Sequence, residues 1–190
     1  MKQSFTVNID TGVLEPARLG LSPNRDARPV GVEPRLVVVH GISLPPGKFG
    51  GPEIEQLFSN RLDWDDHPYF AEIRGLEVSS HVLIRRDGEV LQFVPFGERA
   101  WHAGESRFRQ HSRCNDFSIG IELEGEDTTP YEDLQYETLA DVLVALMRAY
   151  PVITPRDVTA HSDISPGRKT DPGPAFDWLR LYDGLHAKLA

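Results

Sequence analysis

The sequence predicts a single α/β domain, and three observations carry that reading. Short β-branched or alternating apolar runs at residues 36–39, 78–84, 90–94 and 117–124 read as strands. An amphipathic stretch at 133–150, with shorter ones after Pro52 and from Phe176, reads as helix. The 190 residues show no internal repeat and no linker, so one core of ordinary domain size is expected.

Composition narrows the class. Hydrophobic residues at 39% and aromatics at 9% are ordinary for a folded domain and argue against disorder. A net charge of -9 lacks the basic surface that nucleic-acid phosphates require, so no nucleic-acid partner is expected. No apolar run reaches the length of a membrane span, and residues 1–10 lack the apolar core and cleavage site of a leader, so neither membrane nor export is expected. The lone Cys114 cannot form an internal disulfide, which agrees with a cytoplasmic location. Nothing in the sequence sets the oligomeric state.

Residues 1–34 are rich in Pro, Gly, Asn and Asp, with alternation only at 5–9, and read as an irregular arm with one edge strand. After Pro34, the run Leu36-Val-Val-Val39 has the pattern of a strand buried on both faces, and it ends in His40. A polar ring at that point belongs either to a site or to a core in which a backbone carbonyl satisfies it. Residues 41–51 must be loop, and Pro52 suits the first turn of a helix through Ile54, Leu57 and Phe58. Residues 67–73 are weakly helical. Asp87-Gly88 between two apolar runs is a hairpin signal.

Trp101, in the loop 100–104, is a plausible wall for a sugar or peptide and equally a core residue. Arg107, Arg109 and Arg113 follow in a polar stretch, readable as a solvated loop or as an anion clamp. In 117–124 the alternation sets Ile119, Ile121 and Leu123 on one face and Ser118, Gly120, Glu122 and Glu124 on the other. Glu122 lies inside the run, where an unpaired charge is costly, whereas Glu124 at the end is expected to reach water. Glu122 is therefore the better general-base candidate. The helix at 133–150 is core, stopped by Pro151. A last helix at 176–186 is expected to bury Phe176, Trp178, Leu179 and Leu181.

The segment from His161 to Gly173 packs an imidazole, an ammonium and a carboxylate into one Pro/Gly-rich loop. Imidazole and carboxylate are both zinc ligands, and a catalytic zinc takes three protein ligands, leaving one position for water. Read alone, the segment is a site or a solvated loop. Read with the rest, it supplies a full set: His40, His161 and Asp171 to hold Zn2+, Glu122 as base, and Lys169 facing a developing oxyanion. No G-x-S-x-G elbow, Cys-His pattern or H-E-x-x-H helix competes with it.

The segments 37–51, 67–73, 99–104, 114–125 and 168–178 closely resemble the AmpD-type 1,6-anhydro-N-acetylmuramoyl-L-alanine amidases, within the type 2 amidase and peptidoglycan-recognition superfamily. The likeness runs from about Leu21 to Trp178, dividing the chain into an arm at 1–20 and a zinc amidase domain at 21–190. It implies a mixed central β-sheet flanked by helices, with zinc at one end held by His40, His161 and Asp171. It makes Glu122 the water-activating residue and Lys169 the transition-state stabiliser. Arg113 is the implied contact for substrate carboxylates, with Trp101 and Gly41 also facing substrate.

The implied reaction is hydrolysis of the lactyl–L-alanine amide of anhydro-muropeptides in cytosolic peptidoglycan recycling, which indirectly limits β-lactamase induction. Two alternatives stand beside it: a peptidoglycan-binding module that does not cut, and an amidase acting on intact murein. The chain departs from the family in having Gly41 where Asn is common, Glu77 where a basic residue is common, and Ser162 where Cys is usual.

Overall fold

The computed structural model describes residues 4–190. In chain order the strands are β1 (Thr6–Asn8), β2 (Val13–Glu15), β3 (Arg18–Leu19), β4 (Arg25–Ala27) and β5 (Leu36–Ile42). Helices α1 (Glu53–Phe58) and α2 (Pro68–Glu72) come next, then β6 (Val82–Ile84), β7 (Val90–Gln92), β8 (Glu98–Ala100), β9 (Arg107–Phe108), β10 (His111–Ser112) and β11 (Ser118–Glu124). The chain ends with α3 (Asp133–Ala149), β12 (Val158–Ala160), α4 (His161–Ile164) and α5 (Trp178–Leu189).

Six of the strands form the central sheet, in the order β12-β5-β11-β6-β7-β3. Four neighbouring pairs run parallel, and the β6–β7 hairpin is antiparallel, so the sheet is mixed as the resemblance implied. Gly88 turns that hairpin at a φ of 83°, which suits a residue without Cβ.

The alternation of β5 and β11 sorts the two faces of the sheet. Val37, Val39, Ile119, Ile121 and Leu123 are buried in one core with Leu139, Val142, Leu143 and Leu146 of α3 and Leu181 and Leu185 of α5. Leu36 and Val38 pack on the opposite side with Cys114, Phe117 and Ile164. A third cluster joins Leu57 and Phe58 of α1 and Phe70 of α2 to Leu83 and Leu91. The face carrying Leu36 and Val38 also carries His40, by the same two-residue period.

Three expectations differ from what the structure shows. Among the described residues of the stretch 1–34, where an irregular arm with one edge strand was expected, β1 and β2 pair as a hairpin, β3 joins the central sheet beside β7, and β4 pairs with β8. Phe5 and Leu14 are buried in the principal core. Glu124 does not reach water: it is 2% exposed and bonds to Arg85 Nη1 at 3.0 Å. Leu179 is 77% exposed, because α5 turns Leu181 and Leu185 inward and residue 179 lies on another side of the helix. No helix of the described residues is long and apolar enough to cross a membrane.

The helix phase is checkable by truncation. Leu143→Ala, in the α3 core, should cost about 2–5 kcal/mol of unfolding free energy by urea titration. Leu179→Ala should stay within about 0.5 kcal/mol of the parent.

Candidate metal centre

The parallel register of β5 and β11 places Glu122 directly beside His40. On the other side of β5, Ala160 pairs with Val39, so His161, the next residue after β12, arrives beside His40 as well. Asp171 returns from the Pro/Gly-rich loop after α4, where its carbonyl accepts from the Ser162 N–H at 3.0 Å. His40 Nδ1 lies 2.9 Å from His161 Nδ1 and 3.2 Å from Asp171 Oδ2, while His161 Nδ1 is 3.0 Å from the same oxygen. Glu122 Oε1 stands 3.9 Å from His40 Nδ1.

This donor set fits a metal ion. His161 Nε2–H donates to the Ala103 carbonyl at 3.3 Å, which leaves Nδ1 as a lone pair. Two imidazole nitrogens and a carboxylate oxygen facing one another repel unless a proton or cation lies between them. All three ligand atoms lie within 4.8 Å of one another, and the two histidines are buried. Glu122 Oε2 is buried with no hydrogen-bond partner among the described residues, as expected of a group whose partner is a ligand, water or substrate.

The electrostatics follow from burial. His40 is pushed down to about 4, chiefly by burial, although its hydrogen bond to Asp171 pulls the other way. Burial also holds His81 and His102 well below the usual histidine range, helped by the nearby Arg28 guanidinium and by neighbouring imidazoles respectively. For Asp171, burial acts to raise the pKa, but the hydrogen bonds to His161 and His40 outweigh it and hold the carboxyl far below the usual range. Glu122 is raised well above its ordinary value by burial and then by the charge of Asp171, with Lys169 opposing. Two carboxylates in one site are thus driven in opposite directions.

The family profile of N-acetylmuramoyl-L-alanine amidases matches residues 30–174. The chain belongs to the N-acetylmuramoyl-L-alanine amidase family. It is 59% identical to the 1,6-anhydro-N-acetylmuramyl-L-alanine amidase AmpD of Enterobacter cloacae over 174 residues, 92% of each chain. A crystal structure of a selenomethionine AmpD derivative superposes with a TM-score of 0.91 at 55% identity, covering 94% of this chain and 99% of that one. A solved complex of Escherichia coli AmiD with anhydro-N-acetylmuramic acid-L-Ala-D-γ-Glu-L-Lys matches at 32% identity and a TM-score of 0.57, covering 83% and 60%.

In this amidase the metal cluster opens into a cavity of about 820 Å³. His40, Gly41, Trp101, Glu122, His161, Lys169 and Asp171 all line it, so seven of the eight residues singled out in the sequence are brought together. Arg113 is not among the lining residues: its side chain is 73% exposed and pairs with Asp116 at 3.3 Å. The backbone at Arg113 is left-handed, with a φ of 62°, and that geometry belongs to a turn, not to a strand aimed inward.

Other residues at the centre carried weaker signals in the sequence. Tyr131 donates its hydroxyl to the Pro172 carbonyl at 2.9 Å, beside the ligand Asp171. A Cβ on Gly41 would lie 2.3 Å from that hydroxyl, so a larger residue at 41 would require Tyr131 to shift. Glu77, Glu126, Asp127 and Arg168 also line the cavity. Their distances from one another in the chain hide this, since only the folded loops bring them to one rim.

The buried neutral histidines predict a pH dependence for the metal-free protein. His40, His81 and His102 have folded pKa values below the unfolded value of about 6.5, so the unfolded state binds more protons as pH falls. Their contribution is present above about pH 6.5 and is lost as pH falls toward about 4, the folded value for His40. The raised Glu122 works in the opposite direction but is one group against three. Urea titrations of the metal-free amidase should show stability declining from pH 7 to pH 5.

Proposed function

We propose that this chain is a zinc amidase that cleaves the bond between the lactyl group of anhydro-N-acetylmuramic acid and L-alanine. The observation that carries this reading is the pairing of a His40, His161 and Asp171 cluster with the partnerless buried carboxylate oxygen of Glu122, in one open cavity. The choice of an anhydro-muropeptide is supported by high identity to AmpD over nearly the full length of both chains. AmiD, a more distant relative, holds such a muropeptide in its solved complex. We place the reaction in cytosolic peptidoglycan recycling, carried by residues 21–190, where clearing the muropeptide limits β-lactamase induction.

Zinc held by the two imidazoles and the carboxylate would polarise the lactyl carbonyl and lower the pKa of the attacking water. Glu122 takes a proton from that water as its oxygen adds to the carbonyl carbon. Lys169, on the wall of the same cavity, faces the developing oxyanion. As the carbon–nitrogen bond breaks, Glu122 returns the proton to the leaving amine of L-alanine. A carboxyl whose pKa is raised by burial suits both halves of this transfer, because it can hold the proton between them. Trp101 and Gly41 face the substrate from the wall, and Arg113 meets the carboxylates of a peptide stem that extends past the cavity.

The deciding experiment is mass spectrometry of anhydro-muramoyl-tripeptide incubated with the protein, with and without a zinc chelator. Free tripeptide should appear and its release should stop with chelator. An intact substrate with zinc bound would favour the non-cutting module, and release from intact sacculi would favour a murein amidase. Glu122→Ala and Lys169→Ala should each keep zinc by elemental analysis and lower turnover about 10²-fold or more. Arg113→Ala should raise KM several-fold and leave kcat unchanged.

A further inference from the structure

The ring nitrogen of His40 that faces away from Asp171 is not left to solvent. His40 Nε2 lies 2.9 Å from His102 Nδ1, and His102 Nε2 lies 3.1 Å from Ser118 Oγ. That hydroxyl is 2.6 Å from the Cys114 carbonyl oxygen. Such a chain has one arrangement of protons. A carbonyl only accepts, so the Ser118 hydroxyl donates to Cys114 and its oxygen accepts from His102 Nε2–H. A neutral imidazole carries one N–H, so His102 Nδ1 is a lone pair and accepts from His40 Nε2–H. His40 is then left with its own lone pair on Nδ1, the atom that faces His161 and Asp171.

We propose that His102 and Ser118 are positioning residues of the metal centre, locking the His40 ring in the tautomer and orientation that present Nδ1 to the ion. A metal-bound histidine whose second nitrogen is tied in this way has a fixed ring and a more basic donor atom. The neighbouring residue does the same for the second ligand, since the Ala103 carbonyl accepts from His161 Nε2. Residues 102 and 103 therefore orient both histidines from one loop. The loop is itself pinned: Asn115 Oδ1 accepts from the backbone N–H of His102 at 3.2 Å and of Ala103 at 2.8 Å.

An independent feature agrees. A Cβ placed on Gly120 would lie 2.5 Å from His102 Cγ, so the strand next to the ring lacks a side chain where the ring must lie. Ser118 and Gly120 share one face of β11 with Glu122. The same strand face thus ends the relay, makes room for it and supplies the buried carboxylate.

The inference rests on the metal reading of this centre and needs no substrate, so its tests are separate from those of the amidase reaction. Long-range proton–nitrogen NMR of histidine-labelled protein should find the His102 proton on Nε2 in both metal-free and zinc-loaded forms, and the His40 proton on Nε2 in the metal-free form. A proton on His102 Nδ1 would overturn the relay. Competition with a chromophoric chelator should show zinc bound about 10- to 100-fold more weakly by His102→Phe. His102→Gln, whose amide can accept from His40 and donate to Ser118, should recover part of that loss, which a role in packing alone would not produce.

Ser118→Ala should weaken zinc several-fold by freeing the His102 tautomer. Unchanged zinc affinity in folded His102→Phe would sink the proposal. Should that variant not fold, unchanged affinity in Ser118→Ala would do so.

Discussion

The parallel pairing of β5 and β11 sets Glu122 beside His40 and fixes what each face of the sheet carries. Side chains alternate along a strand, so this register decides at once which residues face α3 and which face the cavity. A slip of β11 by one residue would turn Glu122 into the apolar core and bring an apolar neighbour, Ile121 or Leu123, beside His40. The apolar face prevents it, because Val37, Val39, Ile119, Ile121 and Leu123 all need the cover of α3 and α5. Burial on one side of the sheet thus holds the chemistry on the other in register.

The cavity side concentrates polar groups at a cost that packing must offset. His40, His81 and His161 are buried, His102 is partly buried beside them, and among the described residues Glu122 Oε2 has no hydrogen-bond partner. Arg28 lies partly buried nearby, donating to the carbonyls of Phe96, Asn115, Asp116 and Ser118, and among the described residues no carboxylate is hydrogen-bonded to it. Its charge is one reason the adjoining His81 stays neutral. A centre built this way favours uncharged imidazoles, which are the form that binds a metal.

Strand β11 also links the centre to its surroundings. Glu124 accepts from the Gly50 N–H at 2.6 Å and from Arg85, so the loop between β5 and α1 is tied to the same strand that carries Glu122. On the other rim, Tyr131 holds the Pro172 carbonyl next to Asp171, and the Ala175 N–H donates to Asp127 at 2.9 Å. The loops that form the cavity are therefore anchored by polar contacts, of which Arg85 to Glu124 and Tyr131 to Pro172 are buried.

Strands β5, β6, β7 and β11, the long helix and the His40, His161 and Asp171 cluster were legible along the chain. Periodicity reports which face of an element is buried, and the histidines and the aspartate stand at strand ends or in a Pro/Gly loop where core packing has little use for them. The tertiary structure alone decided where partners come from. Glu124 looked exposed until Arg85 arrived from the end of β6, and β3 is too short to signal itself without β7 beside it. The turn at Arg113 sets its side chain outside the cavity lining, where only a substrate extending past the cavity would reach it, and no local pattern announces that. His102 could not be joined to His40, because nothing local shows that Gly120 leaves room for its ring. Alternation is a property of neighbouring residues and can be read along the chain, whereas a hydrogen bond between residues 40 and 102 exists only once the sheet has set its register.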